Sequence, residues 1–136
     1  MAEIIDLATG PAVWTGVELS QNNYWIIKLT PSDLKELDTA LMGIHRKNIP
    51  VEEITTNDFL LPNLSTRLKA FGEELKNGRG FGVVRGIPVA NYTEGACKIM
   101  GWGICSYLGT GVPQSSQGDW INHVIDLSDA PTTTKP

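Results

Sequence analysis

Residues 78–89 are a short apolar run fenced by glycine on both sides: Gly78 and Gly80 precede Phe81, and Gly86 with Pro88 follows Val83 and Val84. Aromatic and β-branched residues favour a pleated strand, the leading glycines stop a preceding helix, and Gly86 with Pro88 forces a turn. The run is predicted as a buried strand. Residues 91–109 then read as a helix that packs back on it, and the rest of the chain has to be arranged around this pair.

Upstream, residues 24–29 are rich in β-formers and bounded by Asn22-Asn23 and Thr30-Pro31, which predicts a first strand. Residues 1–22 show little periodicity and read as coil, with Trp14 laid against the core. Thr30 is placed to cap a helix, Pro31 suits its first position, and Asp33 complements the helix dipole. Leu34, Leu37, Leu41 and Ile44 recur at helical spacing, and His45, Arg46 and Lys47 fall in the last turn before Asn48 and Pro50. His45 is therefore read as a helix-end residue rather than a ligand. Phe59, Leu60 and Leu61 lie in a connection tucked under the domain. Leu64, Leu68, Phe71 and Leu75 mark a second helix that stops at Gly78.

Downstream, Thr93 is placed to cap the third helix, whose buried side carries Ile99, Met100, Ile104, Tyr107 and Leu108. Gly101 and Gly103 weaken that helix by about 1 kcal/mol each, so close packing against the sheet is the expected reason for them. A further strand is expected over residues 120–125. Residues 1–127 are taken as one partial domain, and the polar stretch 128–136 as a disordered tail. Phe81, Val83, Leu68, Phe71, Ile99, Ile104 and Leu108 are expected to share one core.

The charge balance narrows the partners. A net charge of −4 with scattered basic residues and a pI near 5.1 argue against nucleic acid, which needs clustered Lys and Arg. No apolar run approaches the ~20 residues of a membrane span, and the first residues are acidic where a secretory leader is basic. A cytoplasmic address is the expectation, with no membrane partner. Cys97 and Cys105 fall about 12 Å apart along one helix, which forbids a bond between them; they read as small hydrophobes in a reduced compartment.

The chemistry-bearing residues are few. The glycines of residues 78–82 precede their strand, whereas phosphate-binding loops put glycine between strand and helix. The only histidines are His45 and His123, and no Ser or Cys sits in a nucleophile elbow. His123 and Asp126 are three apart, so on a straight strand they would point to opposite faces. Neither is taken as a metal ligand or catalytic group.

As an ordered set, residues 77–89, Tyr92, residues 102–109, the polar stretch Gln114-Ser115-Ser116-Gln117-Gly118 and His123-Val124-Ile125-Asp126 resemble the N-terminal part of the taurine dioxygenase-like (TauD/TfdA) proteins. These belong to the clavaminate synthase-like group of Fe(II)- and 2-oxoglutarate-dependent oxygenases. Residues 10–14, 24–29 and 34–41 extend the resemblance to roughly residues 10–130. It implies an α+β fold, the helix and strand portion of a double-stranded β-helix (jelly-roll) enzyme in which Fe(II) and 2-oxoglutarate activate oxygen to hydroxylate a small molecule. The family's His-x-Asp, distant His and 2-oxoglutarate arginine lie beyond the part matched, so no metal, cofactor or catalytic residue is carried over. By analogy Gln114, Ser116 and Asn122 fall nearest a substrate pocket.

Two functions of different class follow. One is an N-terminal piece of such an oxygenase, inactive alone and handling its small-molecule substrate only in a full-length form. The other is a non-catalytic module derived from that fold, acting through a partner or as a homo-oligomer through an exposed strand edge.

Overall fold

The computed structural model describes residues 7–126 together with Ser128. The expected domain limit at 127 and the tail 128–136 therefore lie, apart from Ser128, outside the described residues. Four helices and two short strands follow in the order α1 (Gly16–Ser20), β1 (Ile26–Lys28), α2 (Pro31–Lys47), α3 (Leu64–Asn77), β2 (Val83–Arg85) and α4 (Glu94–Cys105), with 3-10 turns at Val51–Glu53 and Val89–Asn91. This mixture of helix and a small sheet is an α+β arrangement.

The ends of α2 are written in its sequence. Thr30 accepts the Asp33 N–H while the Asp33 carboxylate accepts the Thr30 N–H at 2.7 Å, a reciprocal cap. Asn48 ends the helix in the left-handed region at φ 51°. The start of α3 uses another element. Asn63 makes no side-chain cap of its own; the Glu36 carboxylate of α2 accepts the N–H groups of Asn63 and Leu64, the latter at 3.1 Å. Arg67 then donates to Asp33 at 2.6 Å and to the Lys28 carbonyl at 2.8 Å, pinning α3 to the start of α2 and the end of β1.

One core fills the space between helices. Leu37 and Ile44 of α2, Phe59 and Leu61 of the connection, Leu64 and Leu68 of α3, and Ile99, Met100 and Ile104 of α4 are all buried in it. Tyr107 locks the connection in place: its hydroxyl donates to the Phe59 carbonyl at 2.8 Å and accepts the Leu61 N–H at 3.1 Å.

The organising strand differs from its expectation. β1 and β2 pair in parallel with Ile26, Ile27 and Lys28 opposite Val83, Val84 and Arg85, and they form a sheet of two strands. Among the described residues no third strand lies beside it, and β2 is not a buried strand: Val83 is 42% exposed and Val84 half-buried. The single expected core is also divided. Leu68, Ile99 and Ile104 share it, with Leu108 at its edge. Phe71 is buried outside that cluster against Gly82, where a Cβ would clash with its ring. Phe81 stacks instead on Trp14 and Trp25, with centroids 4.6 and 5.8 Å away.

Three more expectations are corrected. Residues 16–20, read as coil, form α1 behind a Thr15–Glu18 capping box. Among the described residues no strand forms over 120–125, because no neighbouring edge offers a ladder of hydrogen bonds to that segment. Gly103 packs against the Phe59 ring rather than the sheet, while nothing approaches the Cβ position of Gly101.

Candidate functional site

The 3-10 turn Val51–Glu53, α4 and the loop 109–121 enclose a cleft of about 890 Å³. Trp102 is its fixed wall. The indole Nε1 donates to the Ile54 carbonyl at 3.1 Å, which ties α4 to the segment after the 3-10 turn. Trp120 meets it edge-on, with centroids 5.8 Å apart and ring planes at 76°. Gly111 lets the loop pass this close, since a Cβ there would stand 2.5 Å from the Trp102 ring.

The loop holds its shape by local hydrogen bonds. The Gln114 N–H donates to the Asp119 carbonyl at 2.6 Å, and Gly118, at φ 86°, supplies the left-handed turn. Ser115 donates its hydroxyl to the Asp119 carboxylate at 2.8 Å and accepts the N–H groups of Gln117 and Asp119. The result is a compact turn that carries Trp120 and Ile121 to the mouth of the cleft.

The three residues placed nearest a pocket by sequence fall differently. Gln114 lines the cleft, its amide donating to the Val112 carbonyl at 2.9 Å. Ser116 sits exposed on the turn and Asn122 exposed beyond it, and neither is part of the wall. Glu52, Glu53 and the Trp102–Trp120 pair, which are in it, were not read as site residues. Sequence signals for them existed in the tryptophans on either side of Gly111 and in the acidic pair next to Pro50, but only the fold makes them neighbours.

Cys105 also faces the cleft, where burial raises its thiol above the ordinary value, so it stays a thiol near neutrality. Cys97 lines the same wall, and both cysteines are free. His123, outside any strand, meets the side chains of α4. Its Nε2 is 3.0 Å from Lys98 Nζ and 3.3 Å from the Glu94 carboxylate, and Lys98 pairs with Glu94 at 2.8 Å. Lys98 first, then His123, holds the Glu94 carboxyl below its usual range. Asp126 accepts the Ser128 N–H at 2.8 Å.

No protein-family model matches the chain. Over 117 residues it is 26% identical to the taurine hydroxylase-like protein SAT17 of Stachybotrys chartarum, an alignment that takes in 85% of this chain and 30% of that protein. Over 127 residues it is 24% identical to the FR-33289 synthase of Streptomyces rubellomurinus, covering 93% of this chain and 38% of the relative. The similarity is to the taurine dioxygenase-like oxygenases, and it is distant. The chain spans about a third of the length of the curated relatives it matches.

The described residues do not fit the Fe(II) and 2-oxoglutarate that this similarity brings with it. His123 has the Lys98 ammonium at its Nε2, where a metal would meet a fixed positive charge. His45 belongs to the far end of α2, and among the described residues no three His, Cys, Asp or Glu side chains converge. Arg67 and Arg79 are paired with Asp33 and Glu74 rather than open to a dicarboxylate, and Arg46 and Arg85 are exposed and line no part of the cleft. What the arrangement offers is a preformed apolar cleft with a few polar groups, suited to holding a small organic molecule. Among the described residues no helix is long and apolar enough to cross a membrane.

Proposed function

We propose that the chain forms the N-terminal, substrate-facing part of a taurine dioxygenase-like Fe(II)/2-oxoglutarate oxygenase, with the metal and the 2-oxoacid held by residues outside it. The observation that carries the reading is the alignment of 85% of the chain with a taurine hydroxylase-like protein. The cleft beside Trp102 supports it, because a small-molecule site of this kind is what an oxygenase needs next to its metal. In this reading the double-stranded β-helix and any hydroxylation belong to the full-length form, and residues 7–126 alone do not turn over.

Two measurements test it. The coding sequence that follows Pro136 should carry an in-frame His-x-Asp with a later His and Arg; unrelated sequence there removes the reading. Anaerobic titration of the 136-residue chain with Fe(II) and 2-oxoglutarate should give no stoichiometric charge-transfer band and no succinate once oxygen is admitted. A band abolished by His123→Ala would overturn the assignment of the metal to residues outside the chain.

A second reading, a non-catalytic association module, is favoured by one observation: Trp120, Ile121, Val124 and Ile125 form a run of exposed apolar side chains, Val124 fully so.

A further inference from the structure

The cleft carries a charge pattern that an apolar lining does not require. Glu52 and Glu53 face it from the 3-10 turn, and among the described residues neither carboxylate takes part in an ion pair. Lys98, the cation on the wall, is already neutralised, with its ammonium 2.8 Å from Glu94 and a second contact to His123. The same lining offers the rings of Trp102 and Trp120, with Trp102 held by its bond to the Ile54 carbonyl. An anion entering here meets two uncompensated carboxylates. A cation gains from them and from the aromatic quadrupoles.

We infer that the cleft binds a small organic amine, its ammonium directed at Glu52 and Glu53 and its apolar body laid against Trp102 and Trp120. The inference deepens the reading of this cleft as a substrate site and rests on it. It names the substrate class as an apolar body bearing a protonated or quaternary amine. Cys105 and Val112 complete the apolar wall without adding charge. No covalent step is involved.

The test is a matched pair of probes with one apolar body and opposite charges, 2-phenylethylamine and phenylacetate, titrated into the chain by calorimetry and by tryptophan fluorescence. The amine should bind saturably and roughly tenfold more tightly than the acid, the size of one cation–π contact or one partly screened charge pair. The double variant Glu52→Gln/Glu53→Gln, altered at two exposed positions, should bring the two probes to similar affinity. Trp120→Ala should weaken both together while leaving their ratio in place. Equal affinities in the unaltered chain, an amine preference that survives the double variant, or no saturable binding of the amine each overturn the inference. The titration contains neither iron nor 2-oxoglutarate. Failure here therefore leaves the oxygenase reading untouched, and unrelated coding sequence after Pro136, which would remove that reading, leaves the measured amine preference standing.

Discussion

Phe59 packs its ring against the bare backbone of Gly103, close enough that a Cβ at position 103 would clash with the ring. This contact joins the connection after α2 to the buried face of α4. Both residues are buried, and Phe59 is completely inaccessible.

Gly103→Ala should therefore destabilise the protein by roughly 1–3 kcal/mol from overpacking, even though alanine is the better helix former by about 1 kcal/mol. Gly101→Ala, where nothing stands near the added methyl, should stabilise it slightly. Chemical denaturation of the two variants side by side checks this, and a gain for both would show that Phe59 swings out of the way.

Tyr107→Phe removes one oxygen that serves three backbone groups, the Phe59 and Thr56 carbonyls and the Leu61 N–H. The Leu61 amide is then left without its partner at a buried residue, a loss of about 1–3 kcal/mol. The expected signature in hydrogen exchange is local: the Leu61 amide loses protection while amides in the middle of α2 keep theirs.

The Asp33–Arg67 pair gives a pH dependence. Burial pushes the Asp33 carboxyl up, but the Thr30 N–H, the Arg67 guanidinium and the Thr30 hydroxyl together outweigh it and hold it below its ordinary value. A carboxyl lowered by folding contributes stability that is fully present above the unfolded pKa, near 3.9, and is lost as pH falls through the folded one. Arg67→Ala should cost about 1–2 kcal/mol at neutral pH, discounted because the guanidinium is 42% exposed, and far less in strong acid. A difference between variant and parent that persists unchanged at low pH would remove the ion pair from the explanation.

Self-association is expected through the apolar run that ends in Val124 and Ile125 and the open edge of β2, where Val83 is 42% exposed. Sedimentation at rising concentration should show reversible growth, and Val124→Lys/Ile125→Lys should suppress it. A clean monomer at all concentrations, with no dye bound to apolar surface, would mean that these side chains are tolerated singly in water.

The sequence by itself determined the three long helices α2, α3 and α4, whereas α1 was read as coil. Thr30, Asp33 and Asn48 mark the ends of α2, Thr93 caps α4 at the Ala96 N–H, and the apolar spacing of Leu37, Ile44, Leu64 and Leu68 assigns the buried faces. Those signals are local: each needs only residues three or four positions apart. The tertiary structure decided what β2 and residues 120–125 became. A β-rich run has no fate of its own, because its backbone must find a partner edge and its side chains a second layer. Among the described residues β2 found β1 on one side and no strand on the other, and residues 120–125 found no edge. The cleft was equally illegible, since Glu52, Trp102 and Trp120 are separated along the chain by far more than any local interaction spans. Only the packing of α4 against the 3-10 turn, fixed by the Trp102 indole on the Ile54 carbonyl, brings an acidic pair and two indoles around one space.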